Sequence, residues 1–152
     1  MIENQYVVFN LDKGEFGIDI MNVKEIVPYE EAIPLPNIPD FAEGVINHRG
    51  NVIPIINLRK RFSLVATDVT KDTRIIVINL DDKEVGFVVD EVSQTIRLDS
   101  ELIDPAPSIT EGVEKKYITG LGKIDEKRLL IIIDLDKILS VEEKEEIKQL
   151  EV

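Results

Sequence analysis

The chain has 152 residues, no cysteine and a formal net charge of −12, and these properties exclude several classes of protein. Without cysteine there is no disulfide, thiolate nucleophile or thiolate-bound metal, and the negative charge argues against nucleic acid and anionic membranes as main partners. No apolar run approaches the roughly 20 residues that span a bilayer, and no signal sequence precedes the first predicted strand, so we expect a cytoplasmic protein without direct membrane insertion.

The first forty residues are predicted to form two strands and a proline-rich loop. Residues 6–11 are rich in β-formers, residues 12–14 favour a turn, and residues 15–20 alternate as a half-buried strand does. Val23, Ile26 and Val27 have the i, i+3, i+4 spacing of a single helical turn, which Pro28 would end. The prolines between residues 28 and 39 predict an extended, stiff loop or an edge strand.

The segment from Gly44 to Leu58, GVINHRGNVIPIINL, is predicted to form a β-hairpin. Its β-branched runs flank Arg49, Gly50 and Asn51, and glycine and asparagine tolerate the positive φ angles of a tight reversal. No acidic residue occurs from Gly44 to Thr67, although the chain as a whole is strongly acidic. A fixed positive charge at a sharp corner of such a segment makes Arg49 the best candidate for a contact with a partner.

The remainder of the chain is predicted to be mostly strand and to end in a helix. A short helix is expected at 58–62, a polar connector at 67–72 and a loop at 104–115; the expected strands are residues 75–80, 85–92, 96–98, 117–123 and 129–135. Ser140 and Glu143 have the spacing of a capping box, so residues 140–151 are predicted to form a C-terminal helix, solvated and lightly docked.

An internal repeat is the most informative global feature of the sequence. Asn10, Leu11 and Asp12 recur 69 positions later, and the same shift aligns further pairs: Glu15 with Glu84, Phe16 with Val85, Gly17 with Gly86 and Val23 with Val92. Residues 44–58 and 120–135 match more loosely. We therefore predict an all-β protein of two small barrels, residues 1–68 and 69–139, and leave open whether they exchange strands. Barrels of this size are marginal alone, which predicts a shared apolar interface.

A search for catalytic or metal-binding residues finds almost nothing. His48 is the only histidine and lacks a second histidine or cysteine with which to bind a metal. Asp134 and Asp136 are better explained as a solvated strand end than as cation ligands. The Gly120–Gly122 segment lacks the spacing and context of a dinucleotide loop, and there is no phosphate-binding loop. We therefore predict no cofactor, no metal and no enzymatic activity.

The residues at the predicted hairpin carry a family resemblance. FAEGVINHRG at 41–50, followed by IPIINLR at 53–59, resembles the hallmark of the bacterial chemotaxis coupling proteins, the CheW family. Supporting motifs lie at residues 6–9, 17–26, 86–90, 105–107 and 117–122, so the resemblance covers about residues 5 to 145. One departure is His48, where the family usually has leucine, and it affects the polarity of the contact beside Arg49.

The resemblance implies a fold, a function and partners. Members of this family consist of two packed SH3-like, five-stranded β-barrels without catalytic activity. They couple the cytoplasmic tips of methyl-accepting chemotaxis receptors to the regulatory domain of the histidine kinase CheA, which has the same double-barrel fold. Further copies of the coupling protein are also expected partners in receptor arrays, where a receptor helical hairpin lies in a groove between the two barrels.

The resemblance also implies which residues contact partners. Arg49 matches the family's coupling arginine, and His48 lies beside it. Val23 matches a position used in partner contacts, and Gly44 and Gly86 match glycines whose replacement disturbs binding. Apart from the resemblance, Val23, Ile26 and Val27 could line a groove for a helix, although each is also explained as barrel core. Glu25 matches a contact position but is also, with Glu43, a possible ion-pair partner of Arg49. The full set of predicted partner-binding residues is Arg49, Val23, Glu25, Gly44, His48, Gly86 and Val27.

Two alternatives of other classes remain open at the level of sequence. The second hypothesis is a regulatory part of a larger signalling protein, such as a kinase's own barrel domain or a coupler fused to a receiver; the missing nucleotide-binding motifs and the short length argue against it. A small all-β enzyme or oligonucleotide binder is the third hypothesis, and the low aromatic content, the negative charge and the missing catalytic residues argue against it.

Overall fold

The computed structural model describes residues 3–105 and 117–148, and it consists mainly of β-strands. The predicted loop beyond Pro105 and the last residues of the predicted C-terminal helix lie outside the described residues. The strands are β1 (Glu3–Leu11), β2 (Gly14–Asp19), β3 (Val23–Pro28), β4 (Ala42–His48), β5 (Asn51–Asn57), β6 (Arg74–Leu80), β7 (Lys83–Val89), β8 (Glu91–Asp99), β9 (Ile103–Asp104), β10 (Ile118–Lys123) and β11 (Leu129–Ile133); the helices are α1 (Leu58–Arg61) and α2 (Val141–Lys148).

The strands form two sheets, and each sheet takes strands from both halves of the chain. The six-stranded sheet has the order β8-β1-β2-β11-β10-β9, and the five-stranded sheet has the order β3-β6-β7-β5-β4. The all-β fold with a short C-terminal helix is confirmed. Each sheet contains strands from both sides of the predicted division at residues 68 and 69. The division therefore stays a prediction about the two units of the sequence repeat.

The strand exchange follows the internal repeat. The hairpin β1–β2 joins the later strands through a parallel pairing of β2 with β11, and the repeated hairpin β6–β7 joins the earlier strands through a parallel pairing of β7 with β5. Both hairpins turn at aspartates with positive φ, 57° at Asp12 and 51° at Asp81. The repeated residues therefore occupy equivalent places, and each hairpin lies in the sheet made mainly by the other half.

The largest hydrophobic cluster lies between the two sheets. It joins Phe9 and Ile18 of the six-stranded sheet to Ile76 and Phe87 of the five-stranded sheet, and all four side chains are buried. Each sheet also encloses a smaller cluster of its own. The predicted shared apolar interface is confirmed, because burial at the interface removes the apolar surface that each small unit would otherwise expose.

The C-terminal helix α2 is fixed to this shared core. Its capping box is formed, with Glu143 Oε1 accepting from the Ser140 amide at 2.7 Å and Ser140 Oγ accepting from the Glu143 amide at 3.1 Å. Ile147 is buried in the inter-sheet cluster, and Arg61 of α1 donates to Glu143 at 3.2 Å. The predicted helix is confirmed over its described residues, but it is docked more firmly than expected.

Two local predictions are wrong. Residues 23–28 form strand β3 rather than a helical turn, because β-branched side chains suit a pleated strand and β6 supplies an antiparallel partner from Val23 to Pro28. A single turn of 3-10 helix instead precedes the strand, at Ile20–Asn22. The predicted strand 85–92 is divided at Asp90, where the chain bends and passes from one sheet to the other.

Candidate functional site

Arg49 lies at the corner of the β4–β5 hairpin, which is confirmed. The φ angles are +53° at Arg49 and +86° at Gly50, the signature of a type I′ turn. The positive φ expected at Asn51 is thus adopted by Arg49, a residue type that this conformation disfavours by roughly 1–2 kcal/mol. The side chain of Arg49 is 73% exposed. The turn itself would be better served by asparagine or glycine, so the turn conformation gives no reason for an arginine here.

Glu25 joins the hairpin corner to β3. Glu25 Oε1 accepts from Arg49 Nη2 at 2.6 Å, and Glu25 Oε2 accepts from His48 Nε2 at 2.9 Å. The hydrogen bond from His48, with the positive charge of Arg49, lowers the pKa of Glu25 below its ordinary value. We call these three residues the Glu25 cluster. The predicted pairing of Arg49 with Glu25 is confirmed, and the pairing with Glu43 is not seen, since Glu43 accepts from Asn57 instead.

The Glu25 cluster also contributes to the closure of the five-stranded sheet. Strands β3 and β4 are the two edges of this sheet and are not hydrogen-bonded to each other. The side chain of Glu25, on β3, nevertheless reaches His48 at the end of β4. The sheet therefore curls until its edges approach, and polar side chains bridge the seam.

Strand β3 presents different residues on its two faces. Residues directly opposite in an antiparallel pair share a face. Val23 and Ile26 pair with residues of β6 that belong to the inter-sheet cluster, whereas Val27 pairs with Ile75, which lies inside the five-stranded sheet. The three residues predicted to line one groove are thus divided, and Val27 packs inside the barrel.

An apolar strip runs along the turn before β3 and along the face of β3 that lies outside the five-stranded barrel, the face shared with the inter-sheet cluster. Met21 is 86% exposed and Ile26 is 38% exposed, and Val23 between them is half-buried. The explanation of Ile26 as core is therefore wrong. Sequence analysis missed Met21, and the signal was a methionine in a short turn between two predicted strands. We call Met21, Val23 and Ile26 the β3 strip.

A shallow cleft opens beside the β3 strip, between the two sheets. It is lined by both sheets and by the segment after β11: Ile18, Asn22, Ile78, Asn79, Asp134, Leu135 and Asp136. Asn22 directly precedes Val23, and Ile78 is the strand partner of Val23. The cleft thus lies beside Val23 without being lined by Val23, Ile26 or Val27; its apolar lining residues are buried, and Asn22, Asn79 and Asp136 are exposed.

The two predicted glycines are buried and act through packing. A Cβ atom on Gly44 would lie 2.0 Å from the carbonyl oxygen of Ile33, and Gly44 has a φ of +132°. A Cβ atom on Gly86 would lie 2.7 Å from Ile75 Cγ2 and 2.8 Å from Ile55 Cδ1. Neither glycine offers a side chain or an exposed surface to a partner, so an effect of substitution on binding would pass through the fold.

The other arginines of the acid-free segment serve the fold. Arg59 makes a two-pronged contact to Asp90, with Nε–Oδ1 at 2.7 Å and Nη2–Oδ2 at 2.5 Å. Arg61 donates to the carbonyl oxygen of Ile138 at 2.8 Å and lies over the ring of Phe41. Of the arginines in this segment, Arg49 alone is mostly exposed.

Within residues 3–105 and 117–148, no group of three or more histidine, aspartate and glutamate side chains is arranged to hold a metal ion. In the same part of the chain, no helix combines the length and apolarity needed to cross a membrane. Asp134 and Asp136 are used locally, since Asp134 Oδ1 accepts from the amide of Asp136 at 3.0 Å.

The chain is similar to the CheW-like domain family and to chemotaxis proteins named CheW. Residues 5–143 match the model of the CheW-like domain. The chain is 41% identical over 142 residues to the chemotaxis protein CheW of Klebsiella aerogenes, covering 93% of this chain and 85% of that protein. It is 38% identical over 138 residues to the chemotaxis protein CheW of Bacillus subtilis, covering 90% and 86%.

A solved structure is similar over nearly its whole length. The scaffolding protein TtCheW from Thermoanaerobacter tengcongensis superposes with a TM-score of 0.85 at 35% sequence identity, and the match covers 95% of this chain and 97% of that one. The order of the strands and the hairpin described above therefore belong to a fold already seen in a scaffolding protein.

Proposed function

The chain belongs to the family of CheW-like domains, and from this premise we propose that it couples methyl-accepting chemotaxis receptors to the histidine kinase CheA. The family resemblance seen in the sequence is confirmed. The family is one of non-catalytic adaptors, so the prediction that the chain is not an enzyme is also confirmed.

The observation that carries the proposal is the exposed, strained position of Arg49. A guanidinium group can make a forked hydrogen bond to a carboxylate on a partner, which a lysine does not match. Its position at a turn corner costs stability without serving the turn, and strain of this kind is concentrated at functional sites. We therefore assign Arg49 to the contact with receptor or kinase, with Glu25 and His48 holding it in place.

The groove beside the β3 strip suits a helix of a receptor tip. Met21, Val23 and Ile26 would receive the apolar face of an amphipathic helix, as in other helix-in-groove complexes. The half-buried Val23 lies nearest the cleft. Val27, Gly44 and Gly86 support this surface from within, through the packing described above, and do not touch the partner.

Assembly into arrays would supply most of the affinity. The regulatory domain of CheA and other copies of this chain are the expected neighbours, and each contact is weak alone. Linked sites raise the effective concentration of every further contact, so many weak couplings produce a stable array. On this proposal the protein is cytoplasmic, reaches the membrane only through its partners, and binds neither nucleic acid nor cofactor.

Replacing Arg49 by alanine tests the proposal. We expect binding to a receptor signalling fragment, to CheA or to both to fall about tenfold, as for a central interface arginine, while unfolding in urea changes little. Co-sedimentation with each partner measures the loss. The matched control is Arg97→Ala, which removes the same charge from an exposed site on β8. Equal binding by both variants and the parent would contradict the role of Arg49.

A further inference from the structure

The carboxylate of Glu25 is shared between two groups of different character. Its Oε1 binds Arg49, which is permanently charged, and its Oε2 binds His48, the single histidine of the chain. Histidine is the side chain that ordinarily changes its charge between about pH 5 and 8. The Glu25 cluster therefore contains one fixed positive charge, one fixed negative charge and one proton-dependent charge.

Among the described residues, the charged groups that act on Glu25 are His48, Arg49 and Lys24. Glu25 stays a carboxylate across the neutral range, because the hydrogen bond from His48 and the charge of Arg49 lower its pKa. Lys24, the other cation that acts on Glu25, is held by an ion pair with Glu84 on β7. The side chain of His48 is only 17% exposed, whereas Arg49 is 73% exposed. The histidine of the cluster is thus largely buried, and the guanidinium placed to meet a partner is exposed.

Protonation of His48 changes both the hold on Arg49 and the charge of the surface. With a neutral imidazole, the charges of Glu25 and Arg49 sum to zero. With an imidazolium, the cluster carries one net positive charge, and the carboxylate makes a charge-assisted hydrogen bond to His48. The imidazolium also repels the neighbouring guanidinium, so the contact between Arg49 and Glu25 becomes weaker.

We propose that His48 makes the Arg49 contact proton-sensitive: protonation of His48 engages Glu25, releases Arg49 and strengthens binding to an acidic side chain of the partner. This inference rests on the proposed role of Arg49 in coupling. Glu25 acts in it as an internal competitor that occupies Arg49 when no partner is present, and His48 acts as a positioning residue. The chemistry recognised on the partner is a carboxylate at the edge of its docking helix or barrel.

The first experiment needs no partner. The ring signals of the one histidine and the side-chain Nε–H signal of Arg49 can be followed by NMR between about pH 5.5 and 8. We expect the Arg49 signal to follow the titration of His48 in the parent and to lose that response in Glu25→Gln. An Arg49 signal that stays fixed while His48 titrates would overturn the coupling between them.

The second experiment measures binding to a receptor signalling fragment at about pH 6 and about pH 7.5. His48→Gln is the matched variant, because glutamine can still donate to Glu25 but cannot acquire a charge. We expect the parent to gain about threefold in affinity at the lower pH relative to His48→Gln, the effect of one partly exposed charge. Titration of groups on the receptor is common to both measurements and cancels.

The two ways of failing are distinct. The same pH dependence for the parent and His48→Gln overturns the proton-sensitive contact and leaves the adaptor function intact. Absence of binding by either protein at both pH values, with CheA as well as with the receptor fragment, overturns the proposed function and this inference together.

Discussion

At the scale of single residues, the hairpin corner separates what the fold needs from what the function uses. Gly44 and Arg49 both adopt positive φ angles in the same hairpin, +132° and +53°. Gly44 has no space for a side chain, whereas the side chain of Arg49 points into solvent and binds Glu25. Glycine is thus demanded by packing at one position, and arginine is retained at the other against the preference of the turn.

Gly44→Ala is expected to destabilise the fold by about 3 kcal/mol, because its Cβ would overlap the backbone of Ile33 and the φ angle is unfavourable. The control is Gly50→Ala, which has a positive φ but no atom within 4 Å of the added Cβ, and which should cost only about 1 kcal/mol. Unfolding in urea measures both values. Equal losses would show that a Cβ at position 44 does not overlap the backbone of Ile33.

At the scale of elements, the ion pair of Asp90 with Arg59 stabilises the place where the chain passes between the two sheets. Asp90 lies where β7 of the five-stranded sheet passes into β8 of the six-stranded sheet, and it binds Arg59 of α1. Asp90 Oδ2 also accepts from the amide of Asp12 in the β1–β2 turn at 2.9 Å. One carboxylate therefore holds together three parts of the molecule: the point where the chain passes between the sheets, the short helix α1 and the exchanged hairpin β1–β2.

This arrangement predicts a loss of stability in acid. Partial burial raises the pKa of Asp90, but the hydrogen bonds from Arg59 and the Asp12 amide outweigh it, so the net pKa lies below the ordinary value. A carboxylate with a lowered folded-state pKa stabilises the fold above its unfolded value of about 4, and this stabilisation is lost as the pH falls toward the folded value.

Asp90→Asn provides the measurement. We expect the parent to be more stable than this variant by about 2 kcal/mol at neutral pH, with the difference shrinking below about pH 4. Thermal or urea unfolding of both proteins at several pH values gives the difference directly. A gap that is constant from neutral to acid pH would mean that Asp90 is not the titrating group.

At the scale of the whole molecule, the exchange of hairpins makes the two halves interdependent. The hairpin β1–β2 from the first half completes the six-stranded sheet, and β6–β7 from the second half lies in the middle of the five-stranded sheet. The connector between the two halves of the chain, residues 67–72, is exposed. Cutting the chain there would break one covalent link without breaking a strand pairing.

We therefore expect a protein cleaved at a protease site placed in the connector to remain folded as a complex of two fragments. The fragments should co-elute in gel filtration and separate only in denaturant, and neither should unfold cooperatively alone, because each lacks strands of both sheets. An intact but protease-treated parent without the site is the control. A fragment that folds by itself would show that the exchanged hairpin is not required.

The sequence alone determined those features that depend on neighbours along the chain. The alternating strands, the aspartate turns, the capping box of Ser140 and Glu143 and the repeat of 69 residues were all predictable, because their signals lie within a few residues or in the comparison of one half with the other. The family followed from the motif around Arg49. The position of Arg49 at an exposed corner was also predictable from its glycine neighbour.

Only the tertiary structure decided which distant residues meet. The spacing of Val23, Ile26 and Val27 fits a helical turn, and it became strand β3 because β6, some fifty residues away, offers a partner. The same pairing places Val27 inside the barrel and leaves Ile26 exposed, since strand register and sheet position fix the face of each side chain. Glu25 likewise meets His48 and Arg49 only because the sheet curls until its edges approach. Long-range pairing of this kind is set by the burial of whole faces, which local sequence does not specify.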